Sequence, residues 1–286
     1  MSDPFSATAA SARQAEAHAH EAAHSDTLEM LARAGYAVKG VLYGLIGVLA
    51  LQTALGGGGQ TTGTRGAIRT VAESSFGTVL LWLVAIGLVG YALWRFVQAA
   101  LDPEHKGDDT EGVAKRLGYA GSGVVYAGLA VYTFSILLGG GGSGGGGADA
   151  WTATLMSQPF GVWLVGIAGA ITIGIGLYHL RRAWTVEFKE RLKMGELDAR
   201  AERWAIGVSR FGIAARAVVF VLIGVFLIVA AVQTDPQEAR GLDGVLQTLR
   251  DQPFGPYLLG LVALGLVGYG IYCFVNARYR RIPDPS

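Results

Sequence analysis

The sequence predicts an all-α membrane protein: six transmembrane helices arranged as three parallel two-helix repeats with pseudo-threefold symmetry, each repeat carrying a short outer interfacial helix. Three observations lead there. Hydrophobic residues make up 51% of the 286 and charged residues only 16%, with a mean hydropathy of +0.40, which is too apolar and too poor in charge for an ordinary soluble domain. The apolar residues fall into six runs, 35–55, 77–97, 117–138, 160–180, 211–232 and 254–275, each about the 20 residues an α-helix needs to cross a hydrocarbon core about 30 Å thick. The same pattern is also written three times: a leading arginine (Arg33, Arg116, Arg210), an apolar run, a polar or Gly-rich outer segment, a Phe-Gly pair (Phe76-Gly77, Phe160-Gly161, Phe254-Gly255) and a second apolar run ending in basic residues. The distance from arginine to phenylalanine is the same in all copies to within one residue, the mark of a true repeat.

Taken in chain order, residues 1–30 form a polar, Ala- and His-rich tail. It lacks the basic start and apolar core of a cleaved signal peptide, so the first span is expected to direct insertion itself. His18, His20 and His24 lie in this tail without a fixed further ligand, and no metal site is expected there. Repeat 1 occupies 31–102, repeat 2 occupies 113–183 and repeat 3 occupies 208–281. The glycine tracts at 56–59 and 139–147 begin at the same offset from Arg33 and Arg116, so both belong to a native outer loop, one that glycine leaves flexible. After them come short amphipathic stretches in which Ala67, Trp151 and Val245 are equivalent, as are Val71, Leu155 and Leu249. A spacing of four puts each pair on one face of a helix lying in the outer interface or folded over the bundle. Pro159 and Pro253 precede second spans, at a helix start where proline is tolerated. The extra length between repeats 2 and 3 falls in 184–207, where acids and bases alternate at helical spacing and predict a charged surface helix or helical pair.

Orientation follows from the basic residues. Of 23 Lys and Arg, the outer loops hold only Arg65, Arg69, Arg240 and Arg250, so the positive-inside rule sets the other side, with both termini, in the cytoplasm of a multi-pass protein. The net charge of +1 leaves no basic patch beyond this topological signal, and no nucleic-acid partner is expected.

The leading segments Arg33-Ala34-Gly35-Tyr36, Arg116-Leu117-Gly118-Tyr119 and Arg210-Phe211-Gly212-Ile213, the Phe-Gly junctions, and the segments Gly87-Leu88-Val89-Gly90-Tyr91 and Gly265-Leu266-Val267-Gly268-Tyr269 carry a family resemblance. From about Arg33 to Arg281 the chain resembles the bacterial membrane proteins grouped as domain of unknown function 1206 (DUF1206). Repeat 2 departs from the pattern with Ile171-Thr172-Ile173-Gly174-Ile175. The resemblance implies a three-repeat, six-helix integral protein of the bacterial plasma membrane and brings no activity or catalytic residue with it.

Chemistry has to be sought among polar residues at membrane depth. Lys39, Ser122 and Arg216 occupy one equivalent position, about 9 Å inward from the leading arginines at 1.5 Å per helical residue. Tyr43, Tyr126 and Phe220 follow one turn deeper on the same face. Two readings follow: a layer that holds an anionic ligand or lipid phosphate, with Lys39, Ser122, Arg216, Tyr43 and Tyr126 as its candidates, or long basic side chains that snorkel to the headgroups above packed aromatics. At the ends of the second spans, Trp94, Tyr178 and Tyr272, then Arg95, His179 and Cys273, then Gln98, Arg182 and Asn276 form equivalent sets that read as an interfacial belt.

None of the six runs contains Asp or Glu, which removes candidates for a carboxylate proton relay. A lone intramembrane histidine, His179, does not make the usual paired haem ligation, and the single Cys273 excludes an internal disulfide and a thiolate cluster. No catalytic residue, metal or cofactor is expected, and no enzymatic activity. Each repeat has two spans, so all copies share one orientation and the inverted repeats of many transporters are excluded. Two functions remain: a structural or accessory membrane protein that interacts with another membrane protein or a lipid, or a transporter or channel for a small solute, anion or lipid built on the Lys39, Ser122 and Arg216 layer.

Overall fold

The computed structural model describes residues 26–57, 61–103, 107–140, 147–191 and 198–279. The histidines of the tail, half of the first glycine tract, most of the second and the middle of the charged connection lie outside the described residues. Nine α-helices are described: α1 Asp26–Ala54, α2 Thr64–Ala72, α3 Gly77–Ala100, α4 Thr110–Leu137, α5 Ala148–Met156, α6 Gly161–Thr185, α7 Ala199–Gln233, α8 Leu242–Arg250 and α9 Gly255–Tyr279. There is no strand among the described residues. The helices α1, α3, α4, α6, α7 and α9 are long and apolar enough to span a membrane.

Local chemistry starts and stops these helices. The Asp109 carboxylate accepts from the Gly112 N–H at 3.0 Å ahead of α4, and Asp198 accepts from the N–H groups of Arg200 and Ala201 at 2.9 and 2.7 Å ahead of α7, satisfying donors that a helix start leaves open. The Phe-Gly pair marks the turn from each outer helix into the following span. A Cβ on Gly77, Gly161 or Gly255 would collide with the carbonyl oxygens of Ala72, Leu155 and Arg250, while Phe76, Phe160 and Phe254 expose their rings. The glycine permits the turn, and the ring is left as an interfacial anchor.

The leading arginines link one repeat to the last. Arg116 donates through Nε to the Ala99 carbonyl at 2.9 Å, Arg210 through Nε to Ala183 at 3.1 Å, and Arg33 through Nη1 to Ala277 at 3.2 Å and Arg278 at 2.8 Å. Ala99, Ala183 and Ala277 are equivalent positions, each near the C-terminal end of the preceding repeat's second span, where carbonyls lack helical partners and a cation meets the negative end of the helix dipole. Arg33 thereby joins the last helix to the first and brings both ends of the described chain to one end of the bundle.

Packing follows the same cycle with one break. The spans pack in the order α4, α3, α1, α9, α7, α6. All three contacts between repeats are made, two of them by equivalent small residues. On the α1–α9 contact a Cβ on Gly270 would lie 2.8 Å from the Gly40 carbonyl oxygen, and on the α6–α7 contact one on Gly176 would lie 2.9 Å from that of Ala217. The contacts within repeats 1 and 3, α1–α3 and α7–α9, are made as well. A complete pseudo-threefold ring would also pack α4 on α6, and these two spans are not packed on each other.

Repeat 2's sequence accounts for the break. In repeat 1, Gly35 receives Tyr91 and Gly87 receives Val38 so closely that a Cβ on either glycine would collide; in repeat 3, Gly212 and Tyr269, and Gly265 and Ala215, do the same. The equivalents in repeat 2 are Gly118 opposite Ile175 and Gly121 opposite Ile171, so the glycine of the second span has become a β-branched residue and the tyrosine has gone. Gly118 and Gly121 have nothing within 4 Å of where a Cβ would stand, and Ile171 is 59% exposed.

The outer helices show the same asymmetry. α2 buries Ala67 and Val71, and α8 buries Val245, each facing the bundle as the spacing predicts. Trp151 of α5 departs from that expectation and is 64% exposed, because the spans that would form the floor beneath it stand apart. At the opposite end, the charged connection holds a 3₁₀ segment, Glu187–Arg191, and its second part is the start of α7 rather than a separate surface helix. Phe188 is fully buried against Tyr272, ring centroids 5.6 Å apart and edge to face, and Lys189 pairs with Glu202 at 2.6 Å.

Candidate functional site

Near the end of the bundle that carries both described termini, three cations meet inside the ring. Lys39 is only 3% exposed, and its Nζ donates to the Tyr91 hydroxyl oxygen at 2.9 Å. Arg95 donates to the same oxygen from Nε at 2.9 Å and from Nη2, and through Nη1 to the Gln98 side-chain oxygen at 3.0 Å. The charges of Lys39 and Arg95 thus stand no more than two hydrogen bonds apart. Arg216, half-buried, donates through Nε to the Tyr43 hydroxyl at 3.2 Å, and its Nη1 lies 3.5 Å from His179 Nε2.

Aromatic rings form the walls. Lys39 Nζ stands 4.5 Å from the ring centroid of Tyr91, 5.1 Å from Tyr126 and 5.8 Å from Tyr269. Arg216 Cζ stands 4.1 Å from Phe220 and 4.8 Å from Tyr269, so the Tyr269 ring is shared by the two cations. Arg95 lies over Tyr91 and Tyr119 at 4.9 and 5.0 Å. The rings also hold one another edge to face: Tyr91 with Tyr36 at 5.2 Å and with Tyr126 at 4.6 Å, and Tyr43 with Tyr269 at 4.8 Å. The negative faces of these rings stabilise the cations by about 2 kcal/mol or more each where water is excluded. None of the three cations has a carboxylate partner among the described residues.

Of the five residues proposed from the sequence, four converge: Lys39, Arg216, Tyr43 and Tyr126. Ser122, half-buried on α4, makes no hydrogen bond to the cluster. The snorkelling alternative fails for Lys39, whose ammonium turns inward to Tyr91 because the phenol oxygen and the rings solvate it within the bundle. The interfacial-belt reading of the second-span ends is also corrected. Trp94, Gln98, Tyr272, Cys273 and Asn276 are all buried, and only Tyr178 of the aromatic set is exposed, because these helix ends are covered by neighbouring spans and by the 3₁₀ segment that carries Phe188.

Tyr91, Tyr269 and Arg95 were missed as site residues. The signal for them was present: Tyr91 and Tyr269 close the repeated Gly-Leu-Val-Gly-Tyr segments, and Arg95 follows Tyr91 by four residues, on the same helical face. Beyond the cluster the bundle is filled by Leu42, Ile46, Ala50, Leu88, Leu259 and Leu266 up to Ile68 and Leu246 of the outer helices.

Comparison with known proteins agrees with this architecture. The family described as Domain of Unknown Function (DUF1206) matches three times, over residues 34–102, 117–186 and 211–280. An uncharacterized protein of Bacillus subtilis (strain 168), YxxB, is 33% identical over 255 residues, covering 89% of this chain and 92% of its own. No solved structure matches. The chain belongs to the DUF1206 family: it is a multi-pass membrane protein of six spans in three family repeats.

Proposed function

We propose that this member of the DUF1206 family is a non-enzymatic membrane protein that binds an anionic ligand among Lys39, Arg95 and Arg216, at the cytoplasmic end of the bundle. One observation carries the reading: three cations gathered within the ring without a carboxylate among them. An unpaired cation at membrane depth costs about 2.5–3.5 kcal/mol on insertion scales, and three at close quarters add mutual repulsion. Cation–π contacts and phenol oxygens offset part of this, and an anion would offset the rest and turn the repulsion into shared attraction. The core outward of the cluster is closely filled from Leu42 to Ile68 and Leu246, which favours binding over conduction. The basic residues outside the outer loops favour a cytoplasmic location for this end.

The test is thermal unfolding of the purified protein in a neutral detergent, titrated with inorganic phosphate and with short-chain phosphatidylglycerol, against short-chain phosphatidylcholine as control. Stabilisation by an anionic probe, abolished in Lys39→Met/Arg216→Met, is the expected result. No shift with either anionic probe, or an equal shift in the double variant, overturns the reading.

A further inference from the structure

We infer that the ligand is the headgroup of an anionic glycerolipid, admitted sideways from the bilayer through the seam between α4 and α6. This rests on the anion-binding reading above and adds where the anion comes from. The seam is the one break in the cycle of spans, and it is written into the sequence. Gly118 and Gly121 on α4 hold the positions at which repeats 1 and 3 close on their second spans, and Ile171 and Ile175 on α6 replace the glycine and tyrosine that would meet them. A break between two spans opens onto lipid rather than water, and whatever passes it must bring apolar surface for Ile171 and Ile175, both exposed.

The seam also leads to charge. Each helix beside it contributes to the cation cluster: Tyr126 of α4 lies over Lys39, and His179 of α6 lies 3.5 Å from Arg216 Nη1 and stacks on Phe220. Arg216, Tyr43 and His179, like Arg95 on the other side of the cluster, are half-buried while Lys39 between them is closed off, so the Arg216 rim beside α6 is one of the partly open sides of the cluster. A phosphodiester with acyl chains matches both halves of this arrangement, its charge on Arg216 and Lys39 and its chains along α4 and α6. A free anion matches only the first half, and a neutral lipid only the second.

The experiment is native mass spectrometry of the full chain released from nanodiscs of equal phosphatidylglycerol and phosphatidylcholine. The same preparations are followed by thermal unfolding with inorganic phosphate. The wild type is expected to retain phosphatidylglycerol over phosphatidylcholine by at least tenfold. Arg216→Met loses this preference, and Gly121→Phe, which fills the seam where a side chain meets nothing, loses the lipid but keeps the stabilisation by phosphate. Leu261→Ala, on the exposed face of α9 away from the seam, serves as the second variant and retains the lipid. Equal retention of both lipids, or retention unchanged in Gly121→Phe and Arg216→Met, overturns the inference. Phosphate stabilisation without lipid retention overturns it while the anion-binding reading stands; absence of both overturns the two together. A lipid-free dimer would show the seam covered by a second copy, and overturns it as well.

Discussion

Lys39 and Tyr91 meet across two helices of repeat 1 through a 2.9 Å hydrogen bond, and the phenol oxygen that receives the ammonium also receives Arg95. Tyr91→Phe keeps the ring and removes the one oxygen the two cations share. Leaving these donors unsatisfied is expected to cost about 1–3 kcal/mol, read from unfolding in detergent. Lys39→Met in the same chain is expected to recover part of that loss, since it removes a stranded cation, and additive losses would argue against the coupling.

The break in the ring makes a comparison between equivalent glycines informative. Gly35→Ala and Gly212→Ala drive a methyl group into Tyr91 and Tyr269 and are expected to destabilise by about 1–3 kcal/mol each, as overpacking does. Gly118→Ala, at the same repeat position, is expected to be neutral or to stabilise by up to about 1 kcal/mol through helix propensity. A Gly118→Ala variant as damaged as the other two would mean that repeat 2 closes as they do.

Restoring the pattern of repeats 1 and 3 is expected to draw α4 and α6 together. The double substitution Ile171→Gly/Ile175→Tyr recreates the pair of features that seat Gly87 and Tyr91 against α1. Spin labels on the exposed positions Val124 of α4 and Ile167 of α6 are expected to give a shorter, narrower distance distribution in this variant than in the otherwise unchanged chain. An unchanged distribution would show that something other than these two side chains keeps the spans apart.

Phe188 anchors the charged connection against Tyr272. Phe188→Ala is expected to cost about 3–5 kcal/mol, the usual loss for a fully buried ring, with much of it local. Limited proteolysis within the connection is expected to accelerate well before global unfolding, and uniform resistance would disprove an anchoring role.

The fold was legible because membrane crossing requires length and apolarity, and both can be counted from residues 35–55 through 254–275. The equivalence of Lys39 with Arg216 was legible through the repeat, but not their convergence, since a repeat position does not say whether a long basic side chain turns into the bundle or out to the headgroups. Arg95 was harder to read. At the end of a span an arginine beside an aromatic is normal at an interface, and only its bonds to the Tyr91 hydroxyl and its place over the Tyr119 ring of the neighbouring span draw it inward. The open seam was visible as Ile171 and Ile175, but its meaning needed the contacts of Gly35 and Gly212 for comparison, because a glycine's partner is not written in the glycine.

The leading arginines carry one more consequence. Each serves the carbonyls of the repeat before it, so no repeat is a finished unit, and the order in which the chain visits them is incidental to these bonds. A chain rewired to begin at Arg116 and to run from the end of α9 directly into α1 would keep every one of these links. A single repeat made alone would leave its arginine and its open carbonyls to water and headgroups unless other copies of itself supplied them, so three copies would have to associate to restore the bonds that one continuous chain makes within itself.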